Sequence, residues 1–164
     1  MSLLDVGCRY GWLGHLWLCF RRDAEIIGVD IHLPYLIHVK NVSKAYMLVQ
    51  ADAAHLPFRD NSVDITAAIE VIEHLTKENG RKMLKELERV AKSTVFLTTP
   101  NGFTHKHAEQ EQHATHKSGW KAKDFKQRGY KVRGYGFRPK KWRKTRIIGK
   151  ILNFLDWIFT PLSW

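Results

Sequence analysis

Two carboxylates and a glycine turn could hold a ligand, and a later pair of carboxylates with a histidine could act on it. The run Asp5-Val6-Gly7-Cys8-Arg9-Tyr10-Gly11 ends a short apolar segment in an acid and then turns on glycines. Glycine serves where backbone must take positive φ or approach a ligand closely. Asp30 closes a second apolar run, Glu25 to Val29, at about the 20-residue offset of an acid that holds ribose hydroxyls. Together these features point to an adenosine-type ligand without saying which. Further on, Glu70, Glu73 and His74 leave the apolar run Val63 to Ile69, at a spacing that lets one helical turn aim all three at one point. Imidazole titrates near neutral pH and suits proton transfer.

The elements that must position these residues alternate. Leu3 to Val6, Glu25 to Asp30, Ala45 to Gln50, Val63 to Ile69 and Thr94 to Thr98 read as strands. Trp12 to Phe20, Pro34 to about Val39, and a segment capped by Thr76 and running to about Ala91 read as helices. Strand four is nearly continuous in apolar residues, as a central parallel strand should be. Short links between alternating elements predict a Rossmann-like, doubly wound, mostly parallel α/β sheet. Residues 103–117 break the pattern with His105, His107, His113 and His116, the composition of an active-site loop. Ser118 to Arg128 reads as a helix and Tyr130 to Phe137 as a further strand.

The 164-residue length fits one domain over 1–137 followed by a basic tail over 138–164. Lys and Arg outnumber Asp and Glu by 27 to 16, a net charge of +11 that favours anionic partners or a solvated basic surface. Cys8 and Cys19 form neither a disulfide framework nor a zinc pattern and read as buried thiols in a reducing cytoplasm. The tail sets Arg138 to Arg146 before apolar residues at helical spacing from Ile147 to Phe159. That order allows packing on this chain or a homodimer partner, or an interfacial helix at the inner membrane face, ahead of RNA binding.

In this order the signals resemble the class I S-adenosylmethionine-dependent methyltransferases of the type 11 kind. The resemblance is carried by Asp5-Val6-Gly7-Cys8 with Gly11, Val29-Asp30, Ala51-Asp52-Ala53 with Leu56-Pro57-Phe58, and Asp60-Asn61-Ser62-Val63-Asp64. Glu70-Val71-Ile72-Glu73-His74-Leu75 and His116-Lys117-Ser118-Gly119-Trp120 complete it, so that it covers roughly Leu3 to Tyr135. It implies S-adenosylmethionine as cofactor, S-adenosylhomocysteine as product, and a cofactor set of Asp5, Gly7, Cys8, Arg9, Gly11, Asp30, Ile31, Asp52, Ala53 and Glu70. Within it, Asp5 would order the turn, Asp30 take the ribose hydroxyls, Ile31 lie against adenine, and Asp52 accept from the adenine amine. A helix cap at Asp30 and a turn role at Asp52 are the structural alternatives. Arg9 replaces the family's middle glycine, and it either points away or meets the cofactor carboxylate. Relative to the family, the chain begins on strand one without the covering helix and ends before the seventh strand.

The catalytic candidates are His74 as base or substrate-orienting group, His116 second, and Glu73 beside them. No metal is assigned; the alternative is an ion held by Glu70, Glu73 and His74, completed by His113 or His116. That alternative resembles metal-assisted small-RNA 2′-O-methyltransferases and some quinone-biosynthesis O-methyltransferases. Strand four lacks the Asn/Asp-Pro-Pro-aromatic exit of base-amino methyltransferases, which favours oxygen or carbon acceptors. A small-molecule, lipid or glycan acceptor is therefore expected, with nucleic acid less favoured. A binding module of the same fold, inactive or dependent on a partner subunit, is the other reading.

Overall fold

The computed structural model describes residues 1–44, 46–103 and 115–134. Five strands form one parallel sheet: β1 (Ser2–Val6), β2 (Glu25–Asp30), β3 (Tyr46–Gln50), β4 (Val63–Ile69) and β5 (Ala91–Thr98), in the order β3-β2-β1-β4-β5. Helices α1 (Trp12–Phe20), α2 (Leu33–Val42) and α3 (Lys77–Val90) make the crossovers. The chain winds outward from β1 to β3 and then returns to the other side of β1 with β4. That reversal opens a crevice beyond the carboxyl ends of β1 and β4, where ligands bind in sheets of this type.

The central strands are apolar because both faces of the sheet are covered. Leu3, Leu4, Val6, Ile26, Val29 and Val63 are all almost wholly buried. Helix α3 presents Gly80, Met83, Leu84, Leu87 and Val90 on one side, at helical spacing, and all five are buried. Burial of each large side chain contributes about 1.5–3 kcal/mol. The Thr76 hydroxyl caps α3 by accepting from the Asn79 amide at 3.2 Å. Arg89, at its other end, donates to the Leu56 and Phe58 carbonyls and to Asp60, at 2.7–3.0 Å, and so fastens the segment before β4.

Several boundaries differ from expectation. β5 starts at Ala91 rather than Thr94, because α3 feeds straight into the sheet and Ala91 pairs with Val63. The helix expected over Ser118 to Arg128 is confined to α4 (Ala122–Lys126). Ser118 and Trp120 are held instead by long-range bonds: the Ser118 amide donates to the Glu73 carbonyl, and Trp120 bridges Asn101 and Gly102. Residues 130–134 form no strand, and 135–137 lie outside the described residues. The chain divides into two compact units, Met1–Lys121 and Ala122–Trp164, the second described only over 122–134. The expected boundary at 137/138, the basic tail, His105, His107 and His113 all fall outside the described residues. Among the described residues, no helix is long and apolar enough to cross a membrane.

Trp120 seats against Gly80, where an added Cβ would lie 2.5 Å from the indole and 3.1 Å from Ile72. Alanine gains about 1 kcal/mol over glycine in a helix interior, but overpacking costs about 1–3 kcal/mol. Gly80→Ala is therefore expected to lower the urea midpoint, and a raised midpoint would contradict this fit.

Candidate active site

The first half of the site is built where β1 and β2 end. Gly7 and Gly11 both have φ of +74°, so the turn uses the left-handed region twice. At Gly7 a Cβ would lie 2.5 Å from Val71, and at Gly11 3.2 Å from Val39 and the Tyr46 hydroxyl. Internal packing thus demands these glycines, in addition to any ligand. The Gly7 and Cys8 amides both donate to the Val29 carbonyl, at 2.7 and 3.0 Å, which ties the turn to β2. The Tyr46 hydroxyl donates to the Gly11 carbonyl, a contact that sequence spacing gave no sign of.

Asp30 is 7% exposed and holds the turn from the other side. Its Oδ2 accepts the Arg9 amide at 3.0 Å and its Oδ1 the His32 amide at 2.9 Å. A carboxylate has about four acceptor positions, so each oxygen keeps one for a further donor. Asp5 lies close by, 2% exposed, and its Oδ2 has no hydrogen-bond partner. Burial, and then the Asp30 charge, push the Asp5 carboxyl up to about 7. The same surroundings raise the Cys8 thiol far above its ordinary range, which keeps it neutral and a poor nucleophile.

Arg9 takes φ of +44°, which explains how a non-glycine residue occupies the middle of this turn. Its guanidinium lies 5.3 Å from the Tyr35 ring centre and 5.8 Å from that of Tyr10. Ile31 is 64% exposed directly after Asp30, an apolar face at the rim. Asp52 folds back on its own turn: its Oδ1 accepts the Ala54 amide at 2.9 Å, and its Oδ2 lies 3.4 Å from His55. The turn role is therefore present at Asp52, and Ala53 beside it is half-buried.

The second half lies at the exit of β4. Glu70 has φ of +54°, and its Oε1 accepts from the Thr98 hydroxyl at 2.9 Å. A short 3-10 turn over Ile72–His74 follows. The Glu73 carbonyl accepts the Lys117 and Ser118 amides at 2.7 and 3.0 Å, and this docks the segment bearing His116. His74 Nδ1 lies 3.2 Å from the Thr115 carbonyl, so this nitrogen carries the proton. The His74 and His116 rings meet edge to face with centroids 5.0 Å apart. Glu73 is 2% exposed; its Oε2 accepts from the Thr99 hydroxyl at 3.0 Å. Burial, with the Glu70 charge adding to it, pushes the Glu73 carboxyl up to about 7. Burial also lowers His74, as do the nearby charges of His116 and Arg9.

The structure thus brings Glu73, His74 and His116 together, with one ligand atom from each within 4.8 Å of the others. Glu70, placed with Glu73 and His74 in the alternative metal set, is not in that group and turns to Thr98 instead. A positive φ at Glu70 and a 3-10 turn, rather than one regular helical turn, keep it out of that group, although its carboxyl lies beside that of Glu73. Thr98, Thr99 and Tyr46 were missed by the sequence reading; a Thr-Thr pair closing β5 beside two acids was the available signal.

A carboxylate after β2, a glycine turn after β1 and a polar cluster after β4, all beyond the carboxyl edge, define the class I methyltransferase arrangement. Residues 4–98 match the Methyltransferase domain family, and the chain belongs to it. The chain therefore carries a methyltransferase-family domain. It is 32% identical over 105 residues to a Mycobacterium tuberculosis protein named as a probable S-adenosylmethionine-dependent methyltransferase, covering 63% of this chain and 37% of that one. It is 40% identical over 97 residues to the Arabidopsis thaliana tRNA (carboxymethyluridine(34)-5-O)-methyltransferase, covering 58% of this chain and 22% of that one. Over 105 residues it is 30% identical to the malonyl-[acyl-carrier protein] O-methyltransferase of Buchnera aphidicola, covering 62% of this chain and 41% of that one. The chain therefore spans well under half the length of these relatives. Among solved structures, the YcgJ protein of Bacillus subtilis shares the fold with a TM-score of 0.60 at 20% identity, over 77% of this chain and 58% of that one.

The Asp5 carboxyl gives a test of the site's electrostatics. Its value is raised from 3.8 to about 7, so the native state binds the extra proton between those limits. Its contribution is then present below pH 4 and lost as pH rises through about 7, a change of up to about 4 kcal/mol. Asp5→Asn is expected to leave the melting temperature little changed at pH 4 and raise it by several degrees at pH 8. Parallel melting curves for the two proteins across that range would contradict the assignment.

Proposed function

We propose that this chain methylates an oxygen of a small-molecule, lipid or glycan acceptor. The observation carrying this reading is the juxtaposition of two halves: acids suited to a nucleoside beside a cluster suited to removing a hydroxyl proton. Arg9, in the first half, is near enough to His74 in the second for its charge to help lower that imidazole.

S-adenosylmethionine brings an ammonium, a carboxylate, a ribose diol and an adenine, and the residues present fit it. The orphaned Oδ2 of Asp5 calls for a donor, Asp30 has acceptor positions for hydroxyls, and Arg9 matches a carboxylate. Ile31 and Asp52 would take the adenine, on its face and its amine. When bound, the cofactor supplies a methyl carbon activated by a sulfonium. The chain's own work is placement, on the order of 7–11 kcal/mol when complete, and withdrawal of the acceptor proton at Glu73, His74 and His116. The names of the Arabidopsis and Buchnera relatives, both O-methyltransferases, support oxygen as the acceptor atom.

An RNA oxygen is the second reading, favoured by the charge of +11 and by the tRNA acceptor in the Arabidopsis relative's name. Tritiated S-adenosylmethionine, offered with a lipid and metabolite extract or with total RNA, separates the two. Label in ethers or esters of the extract is expected. Label confined to RNA selects the second reading, and label confined to amines, or none with either, contradicts oxygen methylation by this chain.

Arg9→Gly tests the guanidinium, since glycine also accepts the left-handed turn. A hydrogen bond to a charged group contributes about 1.5–3 kcal/mol. The expected result is a KM for S-adenosylmethionine raised about 10- to 100-fold with a melting temperature held or raised. An unchanged KM would show that the side chain points away.

A further inference from the structure

We propose that the outer face of α2, with the turn residue Tyr10 beside it, docks on an anionic lipid bilayer and brings the mouth of the crevice to it. The docking goes beyond the choice of acceptor and does not depend on what the chain methylates.

The two faces of the sheet differ. From β1 the chain steps outward to β2 and β3, whereas β4 and β5 step the other way. Right-handed crossovers therefore put α1 and α2 on one face and α3 on the other. The outer side of α3 carries Glu78, Arg81, Lys82, Lys85 and Glu88, all exposed and all charged, as befits a helix facing water. Helix α2 is built otherwise. It buries Tyr35, Leu36 and Val39, and its opposite side shows Leu33 and Ile37, neighbours one turn apart. The Tyr10 ring joins them, meeting those of His38 and Tyr35 with centroids 5.1 and 4.9 Å away. Leu33 is 47% exposed, and Ile37 and Tyr10 are each 50% exposed. Exposed apolar side chains scattered singly are ordinary, but a cluster of them marks a surface that binds.

Charge selects the occupant. From Ile31 to Lys44 there is no acid, while Lys40 and Lys44 are exposed. The apolar residues lie in the first turns of α2, at the carboxyl edge, and the lysines lie in its last turn and just beyond. Apolar and aromatic side chains beside cations suit the boundary between acyl chains and anionic headgroups. A second copy packed face to face would set like charges together, with no acid on α2 to offset them. RNA draws on cations and aromatic stacking platforms, and Leu33 and Ile37 are neither.

Position gives the face its use. Ile31 and Leu33 follow Asp30, and Tyr10 follows Arg9, so the face continues the rim of the crevice. An apolar acceptor held in a bilayer there would reach the crevice without exposing its chain to water.

Sedimentation of the full chain with vesicles tests this, using phosphatidylcholine alone and phosphatidylcholine mixed with phosphatidylserine. Binding to the mixed vesicles that weakens as salt rises is expected. Ile37→Glu and Lys40→Glu, both at exposed positions, are each expected to lower that binding about 10-fold or more, with melting temperatures held. Lys85→Glu makes the Lys40→Glu charge change on the α3 face and is expected to bind as the parent does. No vesicle binding by the parent, or binding that neither α2 variant weakens, overturns the proposal. Equal weakening by Lys85→Glu also overturns it, by making net charge the cause. So do a dimer dispersed by Ile37→Glu, or RNA binding lost in it, where no vesicle binding is seen; these assign the face to a second copy or to RNA. Vesicle binding as expected, with no methyl label in any lipid, would remove the lipid acceptor and leave the docking face standing. Label in lipid without vesicle binding would do the reverse.

Discussion

The structure depends on one buried carboxylate that fastens two segments which would otherwise separate. Asp30 accepts the amide of Arg9 across the sheet and the amide of His32 next to it, so the turn after β1 and the turn after β2 share one anchor. Both turns are thereby held at the carboxyl edge, where the parallel sheet reverses direction. The cost is electrostatic. Asp5 is buried within reach of Asp30, and its carboxyl rises to about 7 as a result. A protein tolerates such strain where function requires it, and a ligand that brings a positive group and hydroxyls would relieve it.

The exit of β4 repeats this logic with different chemistry. The Glu70 charge lies close enough to disfavour ionisation of Glu73, which is almost fully buried. The segment 115–120 crosses back over this exit and supplies His116, so the two histidines meet although they are far apart in sequence. Trp120 secures that segment against α3, its indole over Gly80 and under the Lys77 ammonium at 3.5 Å. Packing far from the chemistry thus decides where the chemistry can occur.

The parallel sheet was legible because its strands are short, apolar and buried on both faces, and because α3 announces itself with a Thr76 cap and a regular apolar stripe. Asp30 was legible as the acid that closes β2, but not its bonds to the Arg9 and His32 amides. The acceptor side was less so. Glu70 was grouped with Glu73 and His74 on helical spacing, but a positive φ and a 3-10 turn break that spacing. Ser118 to Arg128 has helical composition, yet its first residues are committed to the β4 exit and to the bridge at Asn101 and Gly102, contacts between segments distant in sequence. Gly7 and Gly11 were expected to make room for ligand; they also make room for Val71, Val39 and Tyr46, which no local pattern reveals.

The central claim is that a sulfonium nucleoside is gripped at Asp30. A calorimetric titration of S-adenosylhomocysteine into the full chain and into Asp30→Asn, a substitution that keeps an acceptor for one of the two backbone amides, addresses it most directly. Saturable binding by the parent chain, weakened about tenfold or more in the variant, is the predicted outcome. No heat from the parent chain at high protein concentration, or equal affinity in both proteins, would contradict it.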